Sequence, residues 1–201
     1  MAENSPLKHI GSNTGMSGNE RTMYQHATRE DLLIGIEHKL RNPEEMYLYR
    51  LTNNIFRAMF PNNFPRVVRA GTAEERSYAV VTKAEAVGPS LGQQYIDARD
   101  RFDQTIGVIF PEGERKDILH KFGFFDERGK DNLLVAPDGN PIYVDKIDPH
   151  ILLAIDLDLL DSLGLGSRKT AYLKHIISKT RNKLQENDRR RDELERMLEQ
   201  S

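Results

Sequence analysis

The chain has 201 residues, 38% hydrophobic and 30% charged, with a net charge of −2, six histidines and no cysteine. This is enough for one ordinary domain or two small lobes, and it excludes disulfides and thiolate metal sites. No apolar run is long enough to span a bilayer, no His spacing suits zinc, and the near-neutral charge makes a nucleic-acid partner unlikely.

Residues 1–20 are rich in Ser, Asn and Gly and read as a loose tail. The run Ile10 to Gly18 invites a phosphate-loop reading, but its glycines fit neither GxxxxGK[ST] nor GxGxxG. The N-terminus lacks the basic-then-apolar pattern of a signal peptide, so a cytoplasmic location is expected. Leu32 to Ile36 is a short apolar strand that continues to Lys39. Asn42-Pro43-Glu44-Glu45 announces a helix: Asn caps, Pro fits the first position and a Glu can close a capping box. The helix should run from Pro43 to about Phe60, where Pro61 ends it.

Pro65 to Ala70 and Ser77 to Ala84 read as strands around a polar turn, followed by the linker Gly88-Pro89-Ser90-Leu91. Gln93 to Gln104 and Glu112 to Phe122 read as helices. After Asp148, residues 151–165 suit one or two helical turns, broken by Gly164 and Gly166. A final helix should run from Arg168 to about Glu199, with Ser167 as its cap. Its stripe Leu173, Ile177, Thr180, Leu184, Asn187, Arg191, Leu194 and Leu198 has heptad spacing but carries three polar residues, a poor self-sufficient coiled coil. The Arg189-Arg190-Arg191 cluster reads as a solvated face. The upper half of the helix is expected to pack on the body, and the projecting end to need a partner, a second copy or another protein.

The segment Asp126 to Asp148, DERGKDNLLVAPDGNPIYVDKID, carries the chemistry. Asp138-Gly139 between apolar strands signals a hairpin. Counted outward from the point between those two residues, Asn132 and Asp145 are equidistant and should face each other at the open end. An amide oxygen beside a carboxylate suits Mg²⁺ that also carries phosphate oxygens. An ordinary surface hairpin with polar ends fits the same residues.

This segment resembles the catalytic loop and metal-binding hairpin of the protein kinase and aminoglycoside phosphotransferase superfamily. There a metal-binding Asp comes thirteen residues after the Asn that closes the catalytic loop, as Asp145 does after Asn132. The resemblance implies that Asn132 and Asp145 hold Mg²⁺, with Lys146-Ile147 where Phe-Gly follows in protein kinases. It implies that Lys39 contacts the phosphates of ATP and that Glu45, or Glu44, orients it. The hinge contacts to adenine fall to Lys83, Ala84 and Glu85. The family's catalytic Asp lies five residues before the Asn; here that position is Glu127, with Asp126 one residue earlier and Lys130 able to neutralise transferred phosphate.

The implied fold is α+β and bilobal. Residues 21–87 would form a small antiparallel sheet lobe with one helix, 88–166 a reduced helical lobe with the metal-site hairpin, and 167–201 a long C-terminal helix. The implied function is ATP- and Mg²⁺-dependent phosphoryl transfer to a small-molecule or unconventional acceptor. The alternative is a catalytically silent, kinase-like interaction protein that presents its C-terminal helix to a partner.

Overall fold

A computed structural model describes residues 8–13, 21–37, 40–84, 93–122, 124 and 132–199. Five strands make one antiparallel sheet: β1 (Lys8–Asn13), β2 (Arg21–Gln25), β3 (Leu32–Glu37), β4 (Val67–Ala73) and β5 (Arg76–Thr82), in the spatial order β1-β2-β3-β5-β4. The chain leaves the sheet after β3, forms helix α1 (Pro43–Met59), and returns as the edge strand β4. β3 therefore lies at the centre of the sheet, between β2 and β5.

The N-terminal tail expected over residues 1–20 is corrected at residues 8–13, which pair with β2 across a bulge between His9 and Gly11. Gly, Ser and Asn hide this strand because their intrinsic strand preference is low. Backbone pairing along β2 supplies what the side chains do not.

Helix α1 starts as its sequence dictates. The Asn42 side chain accepts the Glu45 N–H at 2.9 Å, and Pro43 occupies the first turn. Its buried residues serve two cores. Met46 and Tyr49 pack with Val67 and Ala79 of the sheet, while Ile55, Phe56 and Met59 enter the larger core of the helical half. One rigid helix thus fixes the sheet relative to the rest of the chain.

The larger core gathers Ala98, Phe102 and Ile106 of α2 (Gln93–Ile106), Ile118 and Leu119 of α3 (Arg115–Lys121), and Phe64, Phe124 and Tyr143. The Phe64 ring lies 5.4 Å from Phe56, 5.7 Å from Phe102 and 6.2 Å from Tyr143, all at inclined angles. Such packing adds to area burial because ring edges meet ring faces.

Helix α4 (Ser167–Glu199) docks through the apolar stripe Leu173, Ile177 and Leu184, against two 3₁₀ segments, Pro149–Ala154 and Asp158–Leu163. The stripe's threonines are accommodated: Thr180 donates to the Ile176 carbonyl at 2.8 Å and Thr170 to that of Gly166 at 3.1 Å. The Gly166 carbonyl also accepts the Thr170 N–H at 3.0 Å, so Gly166 precedes a helix whose first residue is Ser167. Arg181 donates to the carbonyls of Leu152, at 2.6 Å, and Ile155; burial pushes its pKa down, and Asp156 opposes that shift. From Arg189 to Met197 every residue is exposed, and Arg191 pairs with Asp188 at 3.2 Å. No helix among the described residues is long and apolar enough to cross a membrane.

Phe64→Ala should destabilise the chain by about 3–5 kcal/mol, because the surrounding rings cannot close a cavity of that size. Urea unfolding checks this, and a loss below about 1 kcal/mol would place Phe64 outside the rigid core.

Candidate functional site

The hairpin that carries Asn132 and Asp145 is built from β6 (Leu133–Val135) and β7 (Pro141–Tyr143). Its register pairs Leu133 with Tyr143, Leu134 with Ile142 and Val135 with Pro141. This differs by one residue from the expected symmetric pairing, and the turn explains why. Ala136 and Asn140 close a three-residue loop, with Gly139 N–H to the Ala136 carbonyl at 2.8 Å and Ala136 N–H to the Asn140 carbonyl at 2.9 Å. Gly139 sits at φ +82°, the left-handed residue such a loop requires, and the Asp138 carboxylate accepts the Asn140 N–H at 3.0 Å.

Asn132 consequently lies opposite Val144, whose N–H donates to the Asn132 carbonyl at 2.8 Å. Asp145 is one residue further on, yet the two side chains meet: Asn132 Nδ2 donates to Asp145 Oδ2 at 3.1 Å. The hairpin is anchored to the α1–β4 connection. Asn63 Nδ2 donates to the Pro141 carbonyl, and the Asn63 carbonyl accepts the Tyr143 N–H, each at 2.8 Å.

The residues after β7 alternate in what they hold. Asp145 meets Asn132, Lys146 reaches Glu37 at the end of β3, Ile147 is buried in the large core, and Asp148 caps the following 3₁₀ segment by accepting the His150 N–H at 2.9 Å. The Glu37 side chain is only 4% exposed. One of its oxygens contacts Lys146 Nζ and the other accepts from Arg41 Nε at 2.8 Å. The Lys146 ammonium also lies 5.6 Å from the Tyr49 ring centre. The Arg41 N–H donates to the buried Ser77 hydroxyl at 2.7 Å, and Arg41 Nη1 approaches Glu45 at 3.9 Å.

Sequence reasoning missed Glu37 and Arg41. The one available signal was an acid closing an apolar strand, and that also suits a solvated strand end.

Glu44 faces helix α4, meeting Lys183 Nζ at 2.8 Å and Asn187 Nδ2 at 3.2 Å. The Lys183 contact, helped by Asn187, holds the Glu44 pKa below its ordinary value, and Glu44 in turn raises that of Lys183. Glu45 is exposed. The Lys83 N–H is engaged by the Asp31 carbonyl at 2.7 Å; Lys83 is exposed and Ala84 half-buried. Lys39, Glu85, Asp126, Glu127 and Lys130 lie outside the described residues.

Among the described residues no group of three or more His, Asp or Glu could hold a metal ion. Asn132 and Asp145 offer hard oxygens of the kind Mg²⁺ takes, and a cation there would exchange their hydrogen bond for two oxygen ligands.

No family model matches the chain, and no curated protein matches it in sequence. Among solved structures it is similar to the pseudokinase domain of BIR2, an immune regulator of the RLK/Pelle family, with 13% identity and a TM-score of 0.43. The match covers 76% of this chain, which spans about half (47%) of that one. It is also similar to the aminoglycoside phosphotransferase APH(3'')-Id from Streptomyces rimosus in complex with ADP and streptomycin, with 9% identity and a TM-score of 0.37, over 89% of this chain and 86% of that one.

Two outcomes follow from the charge contacts. Glu37→Ala leaves two cations around a buried vacancy and should cost about 3–5 kcal/mol, while Lys146→Met should cost less because Arg41 still pairs with Glu37. Equal, small losses in urea unfolding would contradict this. For Glu44, whose folded pKa is lowered, the contribution is complete above the ordinary carboxylate range and lost as pH falls through the folded pKa. Glu44→Gln should therefore cost up to about 1 kcal/mol at neutral pH and nothing in strong acid, since the pair is half-exposed. Melting profiles against pH check the sign.

Proposed function

We propose that this chain is a reduced, protein kinase-like domain that binds ATP with Mg²⁺ and transfers a phosphoryl group to a small-molecule or unconventional acceptor. The observation that carries the reading is the contact between Asn132 and Asp145 at the mouth of the hairpin. The sheet order β1-β2-β3-β5-β4, with α1 inserted between β3 and β4, agrees with the lobe the sequence resemblance implies.

Asn132 and Asp145 would hold the metal, which supplies charge neutralisation for the phosphates. Two protein ligands leave most positions of an octahedral Mg²⁺ for water and phosphate oxygens, so metal and nucleotide should bind together. The loop before Asn132 supplies the acid-base candidates. Glu127, or Asp126, would take the proton of an attacking hydroxyl, and Lys130 would balance charge on the moving phosphoryl group. Lys39 and the Lys83-Ala84-Glu85 segment are the candidates for phosphate and adenine contacts.

A second reading is a catalytically silent relative that works through a partner. The buried Glu37 favours it, because a carboxylate at the end of the central strand opposes a polyanion unless its cations outweigh it. The exposed Leu194 and Met197 on the projecting end of α4 fit the same reading, as a face for a second copy or another protein.

Thermal unfolding with ATP and Mg²⁺ tests nucleotide binding. At a ligand concentration of about 100 times Kd the native state gains about 2.7 kcal/mol. The gain should vanish in Asp145→Ala and shrink when Mg²⁺ is replaced by chelator. Equal melting with and without ATP in the unaltered chain would contradict the reading. Binding without ATP turnover, over a broad set of acceptors, would favour the silent relative.

A further inference from the structure

Helix α4 divides by charge along its length. From Ser167 to Leu184 it carries Arg168, Lys169, Lys174, Lys179, Arg181 and Lys183 and no acid, although the whole chain has a net charge of −2. Three of these cations are committed: Lys174 pairs with Asp161 at 2.8 Å, Lys183 with Glu44 at 2.8 Å, and Arg181 donates to the Leu152 carbonyl. Arg168, Lys169 and Lys179 are exposed and make no ion pair among the described residues. We propose that this exposed face of α4 binds a single-stranded nucleic acid, with those three cations on its phosphates and the Tyr172 ring under one base. Such binding needs neither a metal nor the contact between Asn132 and Asp145.

Periodicity puts the groups together. Steps of three, four and seven residues return a helix to one face, so Lys169, Tyr172 and Lys179 stand in one row with Arg168 beside it. The row lies outside the stripe of Leu173, Ile177 and Leu184 that holds α4 to the body. From Arg168 to Lys179 it runs about 17 Å, at about 1.5 Å per residue. Cations gathered on one helix face are the electrostatic footprint of a polyanion site, and a near-neutral total hides it because the acids lie elsewhere in the chain.

The aromatic rings choose among polyanions. Among the described residues the exposed rings are Tyr172, 64% exposed, and Tyr47, 56% exposed, and both border this half of α4. The Lys183 ammonium lies 5.6 Å from the Tyr47 ring centre. Tyr172 lines an open hollow of about 590 Å³ with Leu165, Ser167, Arg168 and Lys169. A base stacked on an exposed ring, with its phosphate on a neighbouring cation, is the recurring arrangement of single-strand binding, and it tolerates any sequence because every base has a π-face. A duplex keeps its bases away from such a ring. An acidic peptide leaves the ring and the hollow unused, and a membrane surface calls for an apolar face that this row lacks.

Fluorescence anisotropy of the full chain with labelled oligo(U) and oligo(dT) tests the proposal. Both should bind, and log affinity should fall against log salt with a slope of about −0.7 per phosphate contact, about −2 for three cations. Tyr172→Ala should weaken binding about tenfold and Tyr172→Phe should stay within twofold, because stacking needs the ring and not the hydroxyl. Arg168→Ala, Lys169→Ala and Lys179→Ala should each weaken binding and flatten the salt slope. Lys174→Ala, which removes a committed cation, should stay within twofold. Circular dichroism checks the fold of each variant, and Tyr172→Leu replaces Tyr172→Ala if the latter loses helix. No binding by the unaltered chain would overturn the proposal. So would affinity within twofold in Tyr172→Ala or Tyr172→Leu, tighter binding to duplex DNA, poly(Glu) or phosphatidylserine vesicles, or displacement of the strand by MgADP.

Discussion

Glu37 is a carboxylate removed from water at the end of the central strand, and Lys146 and Arg41, which both reach it, offset its desolvation. That requirement ties together parts of the chain that are far apart in sequence. Arg41 lies just before helix α1 and hydrogen-bonds Ser77 of β5 through its backbone, so one end of the network is pinned to the sheet. Lys146 lies just after the hairpin, so the other end is pinned to the helical half. A buried ion pair is weak evidence for stability in itself, since apolar replacements of similar shape often serve as well. What it does here is join the end of β3 to the residue that follows the hairpin.

Helix α1 makes that join rigid. Its first half packs on the sheet and its second half enters the aromatic core, so the two halves of the molecule share one element rather than a flexible joint. Asn63, just after α1, then holds β7 by two hydrogen bonds, to the Pro141 carbonyl and from the Tyr143 N–H. The distance from the sheet to the Asn132–Asp145 contact is thus set by a short chain of hard contacts. Helix α4 adds a second brace. Lys183 and Asn187 meet Glu44 in the first turn of α1, and His150 contacts both Asp148 and Asp188.

Much of this was legible in the residues. Asn42-Pro43 fixed the start of α1 because capping chemistry is local, and helix α4 followed from an apolar stripe and its glycine punctuation. The pairing of Asn132 with Asp145 was also legible, although the register was not: whether Asp-Gly closes a two- or a three-residue turn depends on the left-handed residue Gly139 and on the Asp138 contact to Asn140. Strand β1 was hidden because its stability comes from the neighbouring strand rather than from its own side chains. The contacts of Glu44 with α4 were not legible, because Lys183 and Asn187 lie more than a hundred residues away. Glu37 was invisible for the same reason, since only the folded chain brings Lys146 to it.

The account's central claim is that Asn132 and Asp145 form a binding surface for a metal-bound phosphate chain. A crystal structure of the full chain grown with MgADP tests it most directly. The account predicts a metal ligated by the side-chain oxygens of Asn132 and Asp145 and by at least one phosphate oxygen. A nucleotide bound elsewhere, or phosphates near the hairpin with no metal on Asn132 and Asp145, would contradict it.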